Sequence, residues 1–182
     1  MEILADTRQQ KGKHERKHNQ LKTMGYSVKN QVLDHGDYMF PDGKISVDTK
    51  NSISEIWGNL RGSHKDKKTG KKVQNYPRFR RECERALNAG HVLVVVVENC
   101  YGIHGLHELS HWSEGESAKK RRHGHQNMNG ESLAKQMKTM SRKYGVMWAF
   151  CHPSQTGYKI VKALTHEAEL LDLQKKVMND EQ

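Results

Sequence analysis

The chain has 182 residues, 34% hydrophobic and 29% charged, which is enough for one domain with a modest core and a large solvated surface. Its 31 lysines and arginines against 21 acids leave a formal charge of +10, which suits a polyanion, and nucleic acid is the commonest one inside cells. No apolar run is long enough to span a bilayer, no signal peptide opens the chain and no basic amphipathic helix with an aromatic face stands out, so no membrane partner is expected.

Residues 2–6 read as a short buried strand ending at Asp6, with Thr7 and Arg8 next. Residues 11–24 are polar and helix-compatible, with Gly25 as the stop. Leu21 and Met24 are their main apolar content, which predicts a surface helix with a basic outer face. Residues 26–33 form a second strand with Val28 and Val32 on one face. Residues 36–50 are two apolar-leaning runs around Pro41-Asp42-Gly43, the pattern of a β-hairpin. Ser52-Ile53-Ser54-Glu55 matches a capping box that opens a helix with Ile53, Ile56, Trp57 and Leu60 inward.

Residues 61–75 are dense in lysine and read as a mobile basic loop. A helix follows over residues 76–89, with Phe79, Cys83, Ala86 and Leu87 inward and Arg78, Arg81 and Arg85 sharing another face. Residues 92–98 are apolar up to Glu98, as in a central strand covered on both faces. Residues 99–130, rich in His and Gly and containing Lys119, Lys120, Arg121 and Arg122, look like an insertion. A helix with Leu133, Met137, Met140 and Tyr144 inward, a strand over 146–151 and one closing helix over 157–177 complete the chain. Trp57 and Trp148 read as core residues rather than base-stacking platforms. Cys83, Cys100 and Cys151 are odd in number and far apart, which argues for a reducing, cytoplasmic compartment rather than a disulfide framework. The alternation of strands and helices predicts a single α/β domain over residues 1–182 with a mixed sheet, its active crevice beyond the carboxyl ends of strands.

The hairpin carries the chemistry. Side chains alternate along a strand, so Asp48 and Lys50 project together, opposite Ile45 and Val47, and Asp37 lies across the hairpin within reach of the same point. Two carboxylates and an amine suit a hard divalent cation and an activated water, the requirements of phosphodiester hydrolysis. Asp6 would help directly or through water, and the Thr49 carbonyl is a candidate extra ligand. Lys50 would orient the attacking water or stabilise developing charge. Taken singly, each acid is equally a turn residue or a surface ion-pair partner, and Glu98 is either a fourth acid or a strand's polar end. Cys100, His104, His107 and His111 have spacing that admits a structural Zn²⁺, but with no Cys-x-x-Cys pair the plainer reading is a solvated insertion whose basic residues meet phosphates.

Gly36-Asp37-Tyr38, Val47-Asp48-Thr49-Lys50, Ser52-Ile53-Ser54-Glu55 and Asp6-Thr7-Arg8 together resemble the nuclease domain of the XPF family of structure-specific DNA endonucleases, a branch of the PD-(D/E)xK superfamily. The resemblance implies a restriction-endonuclease-like core with a central mixed β-sheet flanked by helices, and Mg²⁺ (or Mn²⁺) held by Asp6, Asp37 and Asp48, to which the residue reading adds Thr49. It implies a catalytic set of Asp6, Asp37, Asp48, Lys50 and Glu55. DNA would be met by Arg8, Arg78, Arg81, Arg85 and residues 119–122, in an intracellular, DNA-associated protein involved in repair or recombination, and by analogy a homodimer. Three departures stand out: the family's Glu-Arg-Lys is here Asp48-Thr49-Lys50, the following acid Glu55 sits one residue late and equally serves as a cap, and no helix-hairpin-helix segment follows. The competing reading is a non-catalytic DNA-binding module on the same fold. A nuclease acting on RNA, or one reading a DNA sequence, fits the same residues.

Overall fold

The computed structural model describes residues 1–8, 12, 14–66, 68–113 and 128–179. Its strands are β1 (Glu2–Asp6), β2 (Ser27–Gln31), β3 (Tyr38–Met39), β4 (Ile45–Lys50), β5 (Ser63–Lys65), β6 (Lys72–Gln74), β7 (Val92–Glu98) and β8 (Met147–Cys151). Its helices are α1 (Glu15–Thr23), α2 (Ile53–Arg61), α3 (Tyr76–Asn88), α4 (Leu106–His111), α5 (Gly130–Tyr144), α6 (Thr156–Thr165) and α7 (Glu167–Asn179). Six strands form one sheet in the order β2-β1-β3-β4-β7-β8. β1 runs parallel to β2, and β4 and β8 run parallel to β7, while β3 is antiparallel to both β1 and β4, so the sheet is mixed as expected.

The apolar run of β7 explains the layering. Leu93, Val95 and Val97 face one core with the apolar stripes of α2, α3 and α5, while Val92, Val94 and Val96 face a second with α1 and α6. Alternation also splits β4: Ile45 and Val47 enter the second core, and the opposite side carries Ser46, Asp48 and Lys50, all six residues being buried. Ser52 caps α2, its hydroxyl accepting from Glu55 N at 3.1 Å. The reciprocal half of the box goes one residue upstream, with Glu55 Oε2 accepting from Asn51 N at 2.8 Å.

Several elements differ from expectation. The first helix starts at Glu15, and rather than lying on the surface it docks against α6 with Leu21 and Lys17 buried. The second strand ends at Gln31, so Val32 is left exposed while Val28 is half-buried. Residues 61–75 hold a two-stranded antiparallel ribbon, β5–β6, in place of a loop. It is closed by a turn in which Asp66 Oδ1 accepts from Lys68 N, Thr69 N and Thr69 Oγ1. Within residues 99–130 the described parts are not all solvated: Ile103, Leu109 and Met128 join the first core. Lys119, Lys120, Arg121 and Arg122 lie outside the described residues. The closing helix is two helices, broken at His166. Among the described residues, no helix is long and apolar enough to cross a membrane.

Candidate active site

Where β1, the β3–β4 hairpin, α2 and α3 meet, a cleft of about 600 Å³ opens. Asp6, Asp37, Asp48, Thr49, Lys50 and Glu55 all line it, as do Arg8, Arg78, Arg81 and Arg85. The hairpin brings its three residues together as the alternation predicts. Asp37 Oδ2 accepts from Thr49 N at 2.8 Å and Thr49 Oγ1 at 2.7 Å, which fixes the carboxylate against β4. Thr49 therefore acts here through its amide and hydroxyl, as the support of Asp37.

Gly36 sets this turn. Its φ of 70° is left-handed, and a Cβ there would stand 3.1 Å from Ser46 Cβ and 3.2 Å from Val47 O. The Gly36→Ala substitution is expected to cost roughly 1–2 kcal/mol from the backbone conformation alone. A thermal melt should show a Tm lowered by several degrees; an unchanged Tm would mean the turn relaxes freely.

Lys50 Nζ lies 2.6 Å from Asp48 Oδ2. The two form a close ion pair, and among the described residues no other group donates a hydrogen bond to the buried Asp48 Oδ2. The ammonium also sits 5.6 Å from the Phe79 ring centroid. Burial pushes the Asp37 and Asp48 carboxyls above the ordinary value, with Lys50 opposing in both cases. Burial alone would lower Lys50, but the charges of Asp48, then Glu82, outweigh it and hold it above the usual lysine range. Held protonated in this way, Lys50 can donate hydrogen bonds and neutralise charge.

Glu82, on α3, is a site residue that the sequence did not suggest. It lines the cleft, and its Oε1 accepts from Gly36 N at 3.1 Å. Burial, then the charge of Asp48, raises its carboxyl. Three acids thus surround one lysine. The only sequence signal is position, since Glu82 flanks the inward pair Phe79 and Cys83. His14 is a second such residue: buried in the cleft wall, with Nδ1 2.8 Å from Tyr38 OH.

The remaining candidates separate. Asp6 lines the cleft, but its carboxylate is engaged by Arg8 Nε at 3.0 and 3.1 Å and accepts from Leu33 N at 3.2 Å. Glu55 borders the cleft while tying down Asn51. Arg78, Arg81 and Arg85 project from α3 as an exposed basic wall, and Arg85 Nε donates to Asp34 O. Glu98 is not part of the cleft lining. It is buried and ion-paired to Arg16 at 2.6 Å, with Lys17 3.7 Å away, and it accepts from Thr156 Oγ1 at 2.7 Å. Burial pushes the thiols of Cys83 and Cys151 up, which makes them unreactive.

The residues suit a hard cation: the carboxylates of Asp37, Asp48 and Glu82 outnumber the one lysine among them, and the buried Asp48 Oδ2 has the Lys50 ammonium beside it. Among the described residues, Cys100, His104, His107 and His111 included, no three His, Cys, Asp or Glu side chains are grouped to hold a metal ion. Mg²⁺ needs no such cage, since one or two carboxylates with waters and substrate phosphate suffice.

A mixed six-stranded sheet flanked by helices, with acids and a lysine on its central hairpin, defines a restriction-endonuclease-like α/β domain. Among solved structures, the chain matches XPF from Aeropyrum pernix with a TM-score of 0.57 at 18% identity, covering 96% of this chain and 69% of that one. It also matches XPF from Aeropyrum pernix in a complex with DNA, with a TM-score of 0.57 at 18% identity, covering 92% of this chain and 65% of that one. The chain therefore has the XPF nuclease-domain fold and spans about two thirds of the length of these neighbours. No family model and no curated protein matches it.

Proposed function

We propose that the protein is a divalent-metal-dependent DNA endonuclease that hydrolyses phosphodiester bonds, with flap, fork or branched DNA as its preferred class of substrate. The carrying observation is the cleft itself: Asp37, Asp48 and Glu82 surround Lys50 beneath the arginines of α3, on the fold shared with XPF. Asp37 and Asp48 would hold Mg²⁺ or Mn²⁺. Thr49 keeps Asp37 in place, Asp6 buttresses Arg8, and Glu55 holds the strand end after Lys50. When bound, the ion supplies positive charge to the phosphate and makes a water more acidic. The protonated Lys50 orients water or steadies the charge that develops on phosphate oxygens. Arg78, Arg81 and Arg85 meet the backbone of the substrate strand. The setting would be intracellular and DNA-associated, and a homodimer is the assembly to test.

The competing reading, a DNA-binding module without chemistry, draws on the Asp48–Lys50 ion pair, which partly compensates the cleft in the absence of metal. The deciding experiment is incubation with plasmid, flap and fork DNA, with Mg²⁺, Mn²⁺ or EDTA. Metal-dependent cutting that is lost in Lys50→Ala is the expected result. Binding without cutting under any metal would favour the module, and cutting in EDTA would remove the metal from the mechanism.

A further inference from the structure

The β5–β6 ribbon forms a sheet of its own. Its register pairs Ser63 with Gln74 and Lys65 with Lys72, so these four residues share a face, while Val73, on the other face, is 41% exposed. A two-stranded ribbon is marginal by itself. This one also sets two lysines directly across from each other, an arrangement that repels in the free protein. Asp66, the acid nearest them in sequence, is used by the turn, where its Oδ1 accepts three hydrogen bonds. The same turn adds exposed Lys68 and Lys71.

The base of the ribbon is fixed. Asn75 N donates to Gly62 O at 3.0 Å, and Asn75 Nδ2 donates to Gly58 O at 2.8 Å. The ribbon thus projects from the junction of α2 and α3, the helices that bring Glu55 and the three arginines to the cleft. A local electrostatic cost, with no compensating contact among the described residues, is the mark of a surface built for a partner.

We propose that the β5–β6 ribbon is an arm that seats in the major groove of B-form duplex DNA beside the cleft, with Lys65 and Lys72 meeting phosphates. The proposal rests on the DNA-nuclease reading above and adds that the substrate has a double-stranded arm on this side. The B-DNA major groove, about 12 Å wide, admits a two-stranded ribbon, whereas the deep, narrow major groove of duplex RNA does not.

The test uses the full chain with Asp48→Asn, so that DNA is not cut, with and without Lys65→Ala/Lys72→Ala. Anisotropy titrations with blunt duplex DNA, single-stranded DNA and duplex RNA are run between about 50 and 200 mM salt. The double variant is expected to bind duplex DNA about tenfold more weakly, with a salt slope shallower by roughly 1.8, about 0.9 per lost phosphate contact. Single-strand binding should change less, and Tm should stay level or rise because a repulsive pair is gone. Unchanged affinity and slope would overturn the arm, as would a fall in Tm that accompanies the loss of binding, or duplex RNA competing as well as DNA. If the intact-ribbon protein binds no DNA at all, the DNA reading itself falls.

Discussion

Asp48→Asn should lower phosphodiester cleavage by about 10³-fold or more while leaving the metal-free protein at least as stable as the parent. The two halves have one cause. Asp48 is 4% exposed and crowded by Asp37, and burial pushes its carboxyl above the ordinary value, so the fold disfavours the charge it holds at neutral pH. A neutral isostere removes that cost, and the loss of attraction to Lys50 offsets the gain only in part, because Lys50 retains Glu82 and Asp37. This is the signature of a site whose residues are chosen for chemistry against stability. The cation supplies an independent readout, since a ligand that binds the native state raises stability by about 2.7 kcal/mol at a hundred times its Kd. Saturating Mn²⁺ should raise the Tm of the parent and leave that of Asp48→Asn unmoved. A variant that cuts normally, or an equal Mn²⁺ shift in both proteins, would dismiss Asp48 as the anchor of the site.

The hairpin was legible because strand alternation is a local rule: it places Asp48 and Lys50 on one side whatever surrounds them, and Gly36 marks the turn that presents Asp37. The layering was legible from β7, where an unbroken apolar run requires two covering layers. Glu82 was not legible, because its role comes from α3 crossing the hairpin, and a glutamate beside an inward stripe looks like any helix flank. Lys17 misled for the same reason. A polar helix with little besides Leu21 reads as a surface element, yet Lys17 is 0% exposed because Glu98, from a distant strand, stands near it. The ribbon lacked a hydrophobic alternation to announce it. Its signal lay in the turn, where Asp66 and Gly70, at φ 66°, close Ser63–Lys65 onto Lys72–Gln74. The break at His166 carries neither Pro nor Gly, and periodicity alone ran the two helices together.

Glu98→Ala should be the most destabilising single substitution proposed for this chain, at about 3–5 kcal/mol. Glu98 is 2% exposed and joins β7 to two helices, through Arg16 and Lys17 on α1 and Thr156 at the start of α6. Removing it leaves the ammonium of Lys17, already pushed below its ordinary value by burial and supported first by Glu98, without its main counter-charge in the core. Arg16 keeps its bond to Pro153 O and is partly solvated, so the cost falls chiefly on Lys17 and Thr156. For a chain of this size, each kcal/mol moves Tm by about 2–4 °C, so a fall of roughly 6–20 °C is expected. Combining Glu98→Leu with Lys17→Met should recover much of the loss, because a buried pair replaced by apolar side chains of similar volume is often neutral. Yet the double variant should cut more slowly than the parent, since Lys17 Nζ also donates to Asn51 Oδ1 at 2.6 Å, next to Lys50, and Asn51 N in turn donates to Glu55. Denaturation of the two variants and the parent, with cleavage rates measured below each Tm, separates these effects. If Glu98→Ala melts within two or three degrees of the parent, the cluster is solvated in solution and contributes little to the fold.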